Sequence, residues 1–330
     1  MLGDRAVSRA VTPAGRSAAW AASTVLFACV WLLAAPAEAQ QELGQKVLGT
    51  LGLQAGNQPK PGVYVVDQFA FHNADELVDR NGNPLPVGLD LHAVGDAFGL
   101  AATLEVRPLA TYVGAAVGVP MAKVAASTRT PPLSTGRFGF GDLFVQPLKL
   151  GWRTDRADVV AGYGFYAPTG RYEPVHSDGI GRGHWTQEPS LGGTVYLDTD
   201  RTLYASALSC IDVNSRNRGI DITRATTLQV QGGLGMKVLR IFDVGVAGYA
   251  LWQLSDNSGN DAPAVLRSAL ERAYGLGPEV DVSLPPIRSR LTARYEHDIA
   301  VASRQLGQIV YVGLTAFAWD LASKQAPEAQ

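Results

Sequence analysis

Residues able to bind a metal or an anion are concentrated in one short stretch of the sequence. His176, Asp178 and His184 lie close together, with the glycine-rich run GIGRG at 179–183 between them. Imidazole and carboxylate groups are zinc ligands, but this spacing matches no structural or catalytic zinc pattern. The glycine run has neither a following helix nor a nucleotide-binding βαβ context, so it is not predicted to cradle a phosphate. We therefore predict an external loop or gate formed by Tyr172, His176, Asp178 and His184, with no metal and no cofactor.

Nucleophilic catalysis would need a serine or cysteine positioned beside a general base such as histidine. The sequence contains neither a G-x-S-x-G nor an H-x-S-N-G stretch, and the nearest run, SDNSGN at 255–260, contains no histidine. Beyond residue 39, Cys210 is the one cysteine, which excludes a disulfide or a cysteine-ligated metal cluster within that part of the chain. We predict that the protein is not an enzyme and has no catalytic residues.

The first 39 residues have the pattern of a secretory signal peptide. Three arginines precede a largely apolar run at 18–35, and a small-x-small site ending at Ala39 follows. We predict cleavage before Gln40. The alternative is an uncleaved anchor helix, because the apolar run is almost long enough to span a bilayer.

The composition after residue 39 excludes two classes of protein. It leaves 25 basic and 28 acidic residues, which is too little positive charge for a nucleic-acid partner. No apolar run of about 18 residues remains, which excludes a helical membrane protein. A secreted soluble β protein and an outer-membrane β-barrel remain, since alternating residues hide the hydrophobic signal of a barrel.

Apolar and polar residues alternate with a period of two in several runs of about ten residues. In Tyr274–Leu284 the apolar side chains take the even positions, and the polar or small ones take the odd positions. Similar runs lie at 98–107, 185–197, 227–236 and 288–298. A strand of this length can cross a bilayer with one face towards lipid and the other towards the lumen.

Twelve strands can be placed, and the segments that join them are alternately long and short. Long links are predicted at 73–97, 121–139, 167–184, 214–226, 255–273 and 300–306. Short links lie between them, as at 153–156, 198–201 and 285–286. Bacterial outer-membrane barrels have an even number of strands, short periplasmic turns and long external loops. The sequence therefore predicts an all-β fold, a transmembrane up-and-down antiparallel β-barrel of 12 strands.

Charged residues on the polar faces of these strands are tolerable at membrane depth only if they point into the lumen. The predicted lumen charges are Glu105, Arg107, Glu188, Glu279, Asp281, Arg290, Arg294 and Glu296. If Pro285-Pro286 closes a two-residue turn, Asp281 lies directly opposite Arg290. Such pairs would form either a charged constriction that selects solutes or a ladder of ion pairs that stiffens the wall.

Four segments are predicted along the chain. Residues 1–39 form the signal peptide, 40–60 an N-terminal lead or short plug helix, 61–319 the barrel, and 320–330 a C-terminal tail. Apolar residues within 40–60 recur at roughly helical spacing, which leaves a helix, a plug and a disordered lead as alternatives.

Several stretches of the sequence together resemble one family. They are PGVYVVDQFAFHNADELVDRNGNPLPV (61–87), GFGDLFVQPLKLGW (139–152), AGYGFYAPTGRY (161–172), GHWTQEPSLGGTVYLD (183–198) and LWQLSDNSG (251–259). In this order the chain resembles proteins of the meta-pathway of phenol degradation, a family that includes the SphA-like outer-membrane proteins. The resemblance implies an outer-membrane barrel that admits hydrophobic or aromatic compounds.

These features together predict a channel in the outer membrane of a Gram-negative bacterium, for passive uptake of small hydrophobic or aromatic compounds. The expected partners are a small-molecule solute, outer-membrane lipid and, during insertion, the barrel assembly machinery; nucleic acid is not expected. Two alternatives are a plugged, surface-exposed barrel whose long external loops bind a partner, and an outer-membrane lipid hydrolase.

Overall fold

The computed structural model describes residues 45, 47–174, 179–263, 267 and 269–321. The strands of this part of the chain are β1 (Gly62–Leu77), β2 (Asp90–Val106), β3 (Thr111–Arg129), β4 (Pro132–Phe140), β5 (Leu143–Arg153), β6 (Ala157–Ala167), β7 (Thr186–Tyr196), β8 (Leu203–Asn214), β9 (Thr227–Val238), β10 (Phe242–Gln253), β11 (Arg272–Leu284), β12 (Ser289–Ala302) and β13 (Gln305–Trp319). Among the described residues, no helix has the length and apolar character needed to cross a membrane.

The strands form one closed antiparallel sheet. β1 pairs with both β2 and β13, which closes the ring. β4 and β5 share one position in the ring, because β4 pairs with 121–129 of β3 and β5 pairs with 112–118 of the same strand. The barrel therefore has twelve strand positions, as predicted. The fourth position, which β4 and β5 share, is interrupted at Gly141-Asp142.

The period-two pattern of the sequence separates an outer face from an inner face. On β11, Leu276 is 50 % exposed, whereas the inward Glu279 and Asp281 are 4 % and 0 % exposed. Large apolar side chains, such as Phe98 and Leu191, are exposed on the outer face all around the ring. So much exposed apolar surface is typical of a membrane-facing wall, which makes the outer face the lipid-facing one.

The two ends of the barrel differ in their connections. Short turns at 107–110, 154–156, 197–202, 239–241 and 285–288 define one end, which we name the short-turn end. The opposite end carries the connections 78–89, 168–185, 215–226 and 254–271, and we name it the long-loop end. The predicted long link at 300–306 is wrong, because β12 continues to Ala302 and β13 begins at Gln305. The predicted link at 121–139 is wrong too, because β3 continues to Arg129 and β4 begins at Pro132. The small residues of this hairpin gave little hydrophobic contrast from which a strand could be predicted.

Candidate functional site

A segment that precedes the first strand lies inside the barrel. We define the inner segment as Gln45 together with residues 47–60. At the long-loop end its Leu48 belongs to a buried apolar cluster with Val78, Leu251, Ala273 and Val301. At the short-turn end, Arg153 Nη2 donates a hydrogen bond of 2.5 Å to the carbonyl oxygen of Gln58. The inner segment therefore runs along the lumen from one end to the other, and its described residues form turns and bends without a helix.

Three charged side chains of β11 and β12 form a buried cluster beside the inner segment. Arg294 Nη1 lies 2.8 Å from Glu279 Oε2, and Arg294 Nε lies 3.8 Å from Glu296 Oε2. The strand register puts Glu279 directly opposite Arg294, and Arg294 Nη2 also donates to the carbonyl oxygen of Gly49. One guanidinium thus compensates two buried carboxylates and holds the inner segment as well.

The hairpin between β11 and β12 differs from the predicted one. Its turn spans 285–288 and contains a single 3-10 turn, so Asp281 pairs with Thr292 and the predicted direct pairing with Arg290 is wrong. Two prolines do not form the primed turns that a two-residue hairpin favours, and the turn is longer as a result. The register shift is two residues, which keeps every side chain on its predicted face. Arg290 still lies 3.6 Å from Asp281 and 3.6 Å from Asp243.

The remaining predicted lumen charges have different positions. Glu188 on β7 is 1 % exposed and lies on the inner face. Glu105 lies near the short-turn end of β2, opposite Tyr112 of β3 on the inner face. Arg107 is not on the wall: β2 ends at Val106, and Arg107 begins an exposed 3-10 turn. The prediction for Arg107 is therefore wrong, because Pro108 turns the chain before it reaches another inward position.

The inner face of β2 and β3 carries only small residues along much of its length. We define the small-residue strip as the inward positions Ala93, Gly95, Ala97, Gly99 and Ala101 of β2 with Gly114, Ala116 and Gly118 of β3. The nearest neighbours of a Cβ added at any of its glycines would be atoms of β2, β3 or β5. By contrast, a Cβ at Gly233 or Gly245 of β9 and β10 would meet Leu53 of the inner segment. The inner segment therefore lies against one half of the wall and leaves the small-residue strip uncovered.

At the long-loop end, Asp142 lies in the break between β4 and β5 and connects the inner segment to a loop. Asp142 is 2 % exposed and accepts a hydrogen bond from Gln45 Nε2 at 2.9 Å. It also accepts hydrogen bonds from the backbone N–H groups of Gly170 at 2.9 Å and Arg182 at 2.8 Å. A single buried carboxylate thus joins the inner segment to the loop 168–185.

The predicted gate residues belong to this loop. Tyr172 accepts a hydrogen bond of 3.1 Å from Asn217 Nδ2, which links the loop to the next one along the chain. His176 and Asp178 lie outside the described residues. Within the part of the chain that the structure describes, no group of three or more His, Cys, Asp or Glu side chains is arranged to hold a metal ion.

His184 is a buried neutral imidazole at the base of the same loop. It is 2 % exposed, and its Nδ1 lies 3.0 Å from the carbonyl oxygen of Arg182. Burial lowers the pKa of His184 to about 3, and the positive charges of Arg224 and Arg182 add to this effect. The histidine therefore packs the loop against the barrel and is uncharged at neutral pH.

Several wall residues that contact the inner segment were not predicted from the sequence. Among them are Asp142, Asp158, Ser206 and Gln231. Gln231 lies in a run of clearly alternating residues, so the sequence was sufficient to predict that its side chain points inward. The contact between Gln231 and the inner segment could not be predicted, because the turns of that segment have no periodic pattern that indicates what they contact.

Comparison with known proteins relates the chain to one family. The model of the family described as "Putative MetA-pathway of phenol degradation" matches residues 74–312, well over half of the sequence. The chain belongs to this family. The resemblance read from the sequence is thereby confirmed. No curated protein matches the chain.

Solved structures that resemble this family member are outer-membrane barrels. The COG4313 outer membrane channel from Pseudomonas putida F1 has a TM-score of 0.70 at 13 % identity, covering 79 % of this chain and 97 % of that one. The translocator domain of the autotransporter NalP from Neisseria meningitidis has a TM-score of 0.44 at 12 % identity, covering 90 % and 97 %. The CymD monoaromatic hydrocarbon channel has a TM-score of 0.42 at 9 % identity, covering 79 % and 90 %. The first of these shares the fold. A closed barrel with an apolar outer face and this fold belongs in the outer membrane of a Gram-negative bacterium.

Proposed function

We propose that this barrel is a channel for the passive uptake of small aromatic or hydrophobic compounds across the outer membrane. The small-residue strip is the observation that carries the proposal. It is an uncharged part of the inner wall that the described inner segment leaves uncovered. Family membership supports the same substrate class.

The chemistry of the strip suits a flat, weakly polar solute. Glycine and alanine project little beyond the backbone, so an aromatic ring can approach the wall closely and lose little contact with it. No charged side chain belongs to the strip, so a solute that moves along it displaces no tightly held ion pair. The charged side chains lie on the other part of the inner wall, which contacts the inner segment. The buried Glu279–Arg294 pair is an example.

Uptake into liposomes tests the proposal directly. Purified protein would be reconstituted into liposomes with lipopolysaccharide in the outer leaflet, because phenol and toluene cross a plain phospholipid bilayer without a channel. Entry of phenol or toluene would be compared with entry of a sugar of similar size. We expect faster entry of the aromatic compounds than of the sugar, relative to protein-free liposomes. Equal rates with and without protein for all solutes would contradict the proposal.

One observation favours a second candidate, a plugged barrel whose loops bind a partner. The inner segment spans the lumen, and Asp142 joins it to the loop 168–185. A barrel closed in this way could act through its long loops without admitting a solute. Planar-bilayer recordings distinguish the two candidates, because a permanently plugged barrel has no conductance at any voltage that the bilayer tolerates.

A further inference from the structure

The wall of the lumen binds the main chain of the inner segment through side chains. Four backbone N–H groups donate to wall oxygens: Leu51 to Gln231 Oε1 at 2.9 Å, Leu53 to Glu279 Oε2 at 3.1 Å, Gly56 to Ser206 Oγ at 2.8 Å and Gln58 to Asp158 Oδ2 at 3.4 Å. Main-chain N–H groups are the same in every peptide except at proline. These contacts therefore recognise a backbone conformation and not particular side chains.

Wall cations bind the carbonyl groups of the same segment. Arg294 donates to the carbonyl oxygen of Gly49, Lys149 Nζ lies 3.5 Å from that of Asn57, and Arg153 lies 2.5 Å from that of Gln58. Seven main-chain groups between residues 49 and 58 thus have partners on the wall. So many side-chain contacts to the main chain of one segment are more typical of a peptide-binding site than of a packed loop.

Glycine is required where the inner segment comes closest to the wall. A Cβ at Gly56 would overlap the backbone carbonyl of Gly193, which cannot move without distorting β7. A Cβ at Gly52 would overlap the ends of the Glu279 and Arg294 side chains, which are more adaptable. The inner segment therefore needs glycine at these positions, most strictly at Gly56.

One apolar side chain provides the hydrophobic anchor. Leu53 is fully buried and packs with Tyr196, Tyr204 and Ala247. Gly233 and Gly245 leave the space that its Cδ2 atom fills, since a Cβ at either position would lie within 3 Å of that atom. The wall and the inner segment are thus complementary in shape as well as in hydrogen bonding.

The inner segment is nevertheless attached less firmly than a strand of the barrel. Among the described residues, no backbone–backbone hydrogen bond joins 47–60 to a strand. Both carboxylate oxygens of Glu296, which is fully buried, also lack a hydrogen-bond partner within the described chain. An unsatisfied buried acceptor destabilises the packed state, so the site is compatible with release of its occupant.

We propose that the lumen is a peptide-binding site, specific for a glycine-containing segment folded in turns, and that the chain's own inner segment occupies it reversibly. A separate peptide with the same glycines and the same leucine anchor binds the site once the inner segment has left. The proposal concerns binding and does not require that the barrel conducts.

The test uses the full-length protein with the substitution Gly56→Val, which expels the inner segment but alters no wall residue. A fluorescent peptide with the sequence of residues 45–58, QKVLGTLGLQAGNQ, would be titrated in detergent, and binding would be followed by anisotropy. We expect saturable binding that is at least tenfold tighter than to the wild-type protein, whose own segment occupies the site. Peptides carrying Gly56→Val or Leu53→Asp should bind at least tenfold more weakly than the unmodified peptide.

Folding of the variant is checked by heat-modifiable mobility on a gel. If Gly56→Val protein does not fold, full-length Leu53→Asp provides a second way to expel the segment through its apolar anchor. Absence of binding to a folded variant would overturn the proposal, and so would equal affinity of the substituted and unmodified peptides. Equal affinity of the variant and wild-type proteins would show binding elsewhere and would overturn it too.

Discussion

The two halves of the inner wall have opposite character. From β6 to β12 the inward side chains include Glu188, Glu279, Asp281 and Glu296, all at most 4 % exposed. Along the middle of β2 and β3 the inward residues are glycine and alanine, and most of them keep some exposed surface. The charged half binds the inner segment, and the small-residue half is left uncovered.

This difference changes how the lumen charges are understood. Charges inside a barrel suggest a water-filled constriction that selects ions. Here Glu279 and Arg294 lie 2.8 Å apart, are nearly inaccessible, and contact main-chain groups of the inner segment. They therefore act as an anchor for part of the chain, and a path for solute is expected on the other side of the lumen.

Removal of Arg294 should have the largest effect on the charged half. Arg294→Met leaves Glu279 and Glu296 buried without their cation, and breaking a buried pair in this way costs about 3–5 kcal/mol. The free energy of unfolding, measured by urea titration in detergent, should fall by this amount. Arg288→Met is a suitable control, because the Arg288 side chain is 60 % exposed and lies 4.0 Å from Asp320. A loss at Arg294 as small as that of the control would mean that the cluster does not stabilise the barrel.

The inner segment should leave the lumen when Gly56 is replaced. Gly56→Val forces a side chain into the backbone of β7, and overpacking of about 3 kcal/mol would raise the population of the released state on the order of a hundredfold. Cys210 is the reporter, because it is buried at 2 % exposure on the inner face of β8 and lies opposite Gln229. The Gln229 side chain accepts a hydrogen bond from Gln231, which in turn binds Leu51 of the inner segment. The rate of reaction of Cys210 with a small maleimide should rise accordingly. Gly136→Val is the matched control, since a Cβ at Gly136 meets nothing within 4 Å.

Alternation along the sequence was sufficient to predict the faces of the strands. Glu279, Asp281, Arg294 and Glu296 all lie inward as predicted, because a period of two fixes the face of every residue in a strand. The same pattern did not determine register, and a turn two residues longer than expected at 285–288 moved Arg290 away from its predicted partner.

Contacts within the lumen could not be read from the sequence in this way. Asp142 does not lie at the end of a run of alternating apolar and polar residues, so no pattern marks it. Its partners Gln45, Gly170 and Arg182 are distant along the chain. The small-residue strip was also missed, since glycine and alanine contribute little to a hydrophobic pattern. Both features depend on the closed ring, which brings the inner segment against one half of the wall.

Acid should loosen the loop above the charged half. His184 has its pKa lowered from 6.5 to about 3, so the closed loop holds a neutral imidazole that an opened loop can protonate. Stability from this group is therefore complete above pH 6.5 and is lost as the pH falls towards 3. Between pH 7 and pH 5 the opening equilibrium of loop 168–185 should rise about 20-fold. The protection factors of the loop amides, which compare the observed exchange rate with the intrinsic rate at the same pH, measure this rise.

Two substitutions test the origin of the acid effect. His184→Gln should abolish the pH dependence of the protection factors in the loop, whatever it does to their absolute values. His92→Gln should leave the pH dependence intact, because the His92 side chain is 62 % exposed and pairs with Asp90 away from this loop. If the pH dependence persists without His184, another group is responsible for it.

The smallest predicted effect concerns a substitution in the small-residue strip. Gly118→Phe adds a ring to the small-residue strip, where the nearest atom to a new Cβ is 3.9 Å away. The wall should accept the ring with little loss of stability, but the ring should occupy the proposed path and slow entry of phenol into liposomes several-fold. Val119→Phe is the matched control, since Val119 is 41 % exposed on the lipid-facing side of the same strand. Equal uptake by the two variants would place the path elsewhere in the lumen, and the contrast between the two halves would then concern stability alone.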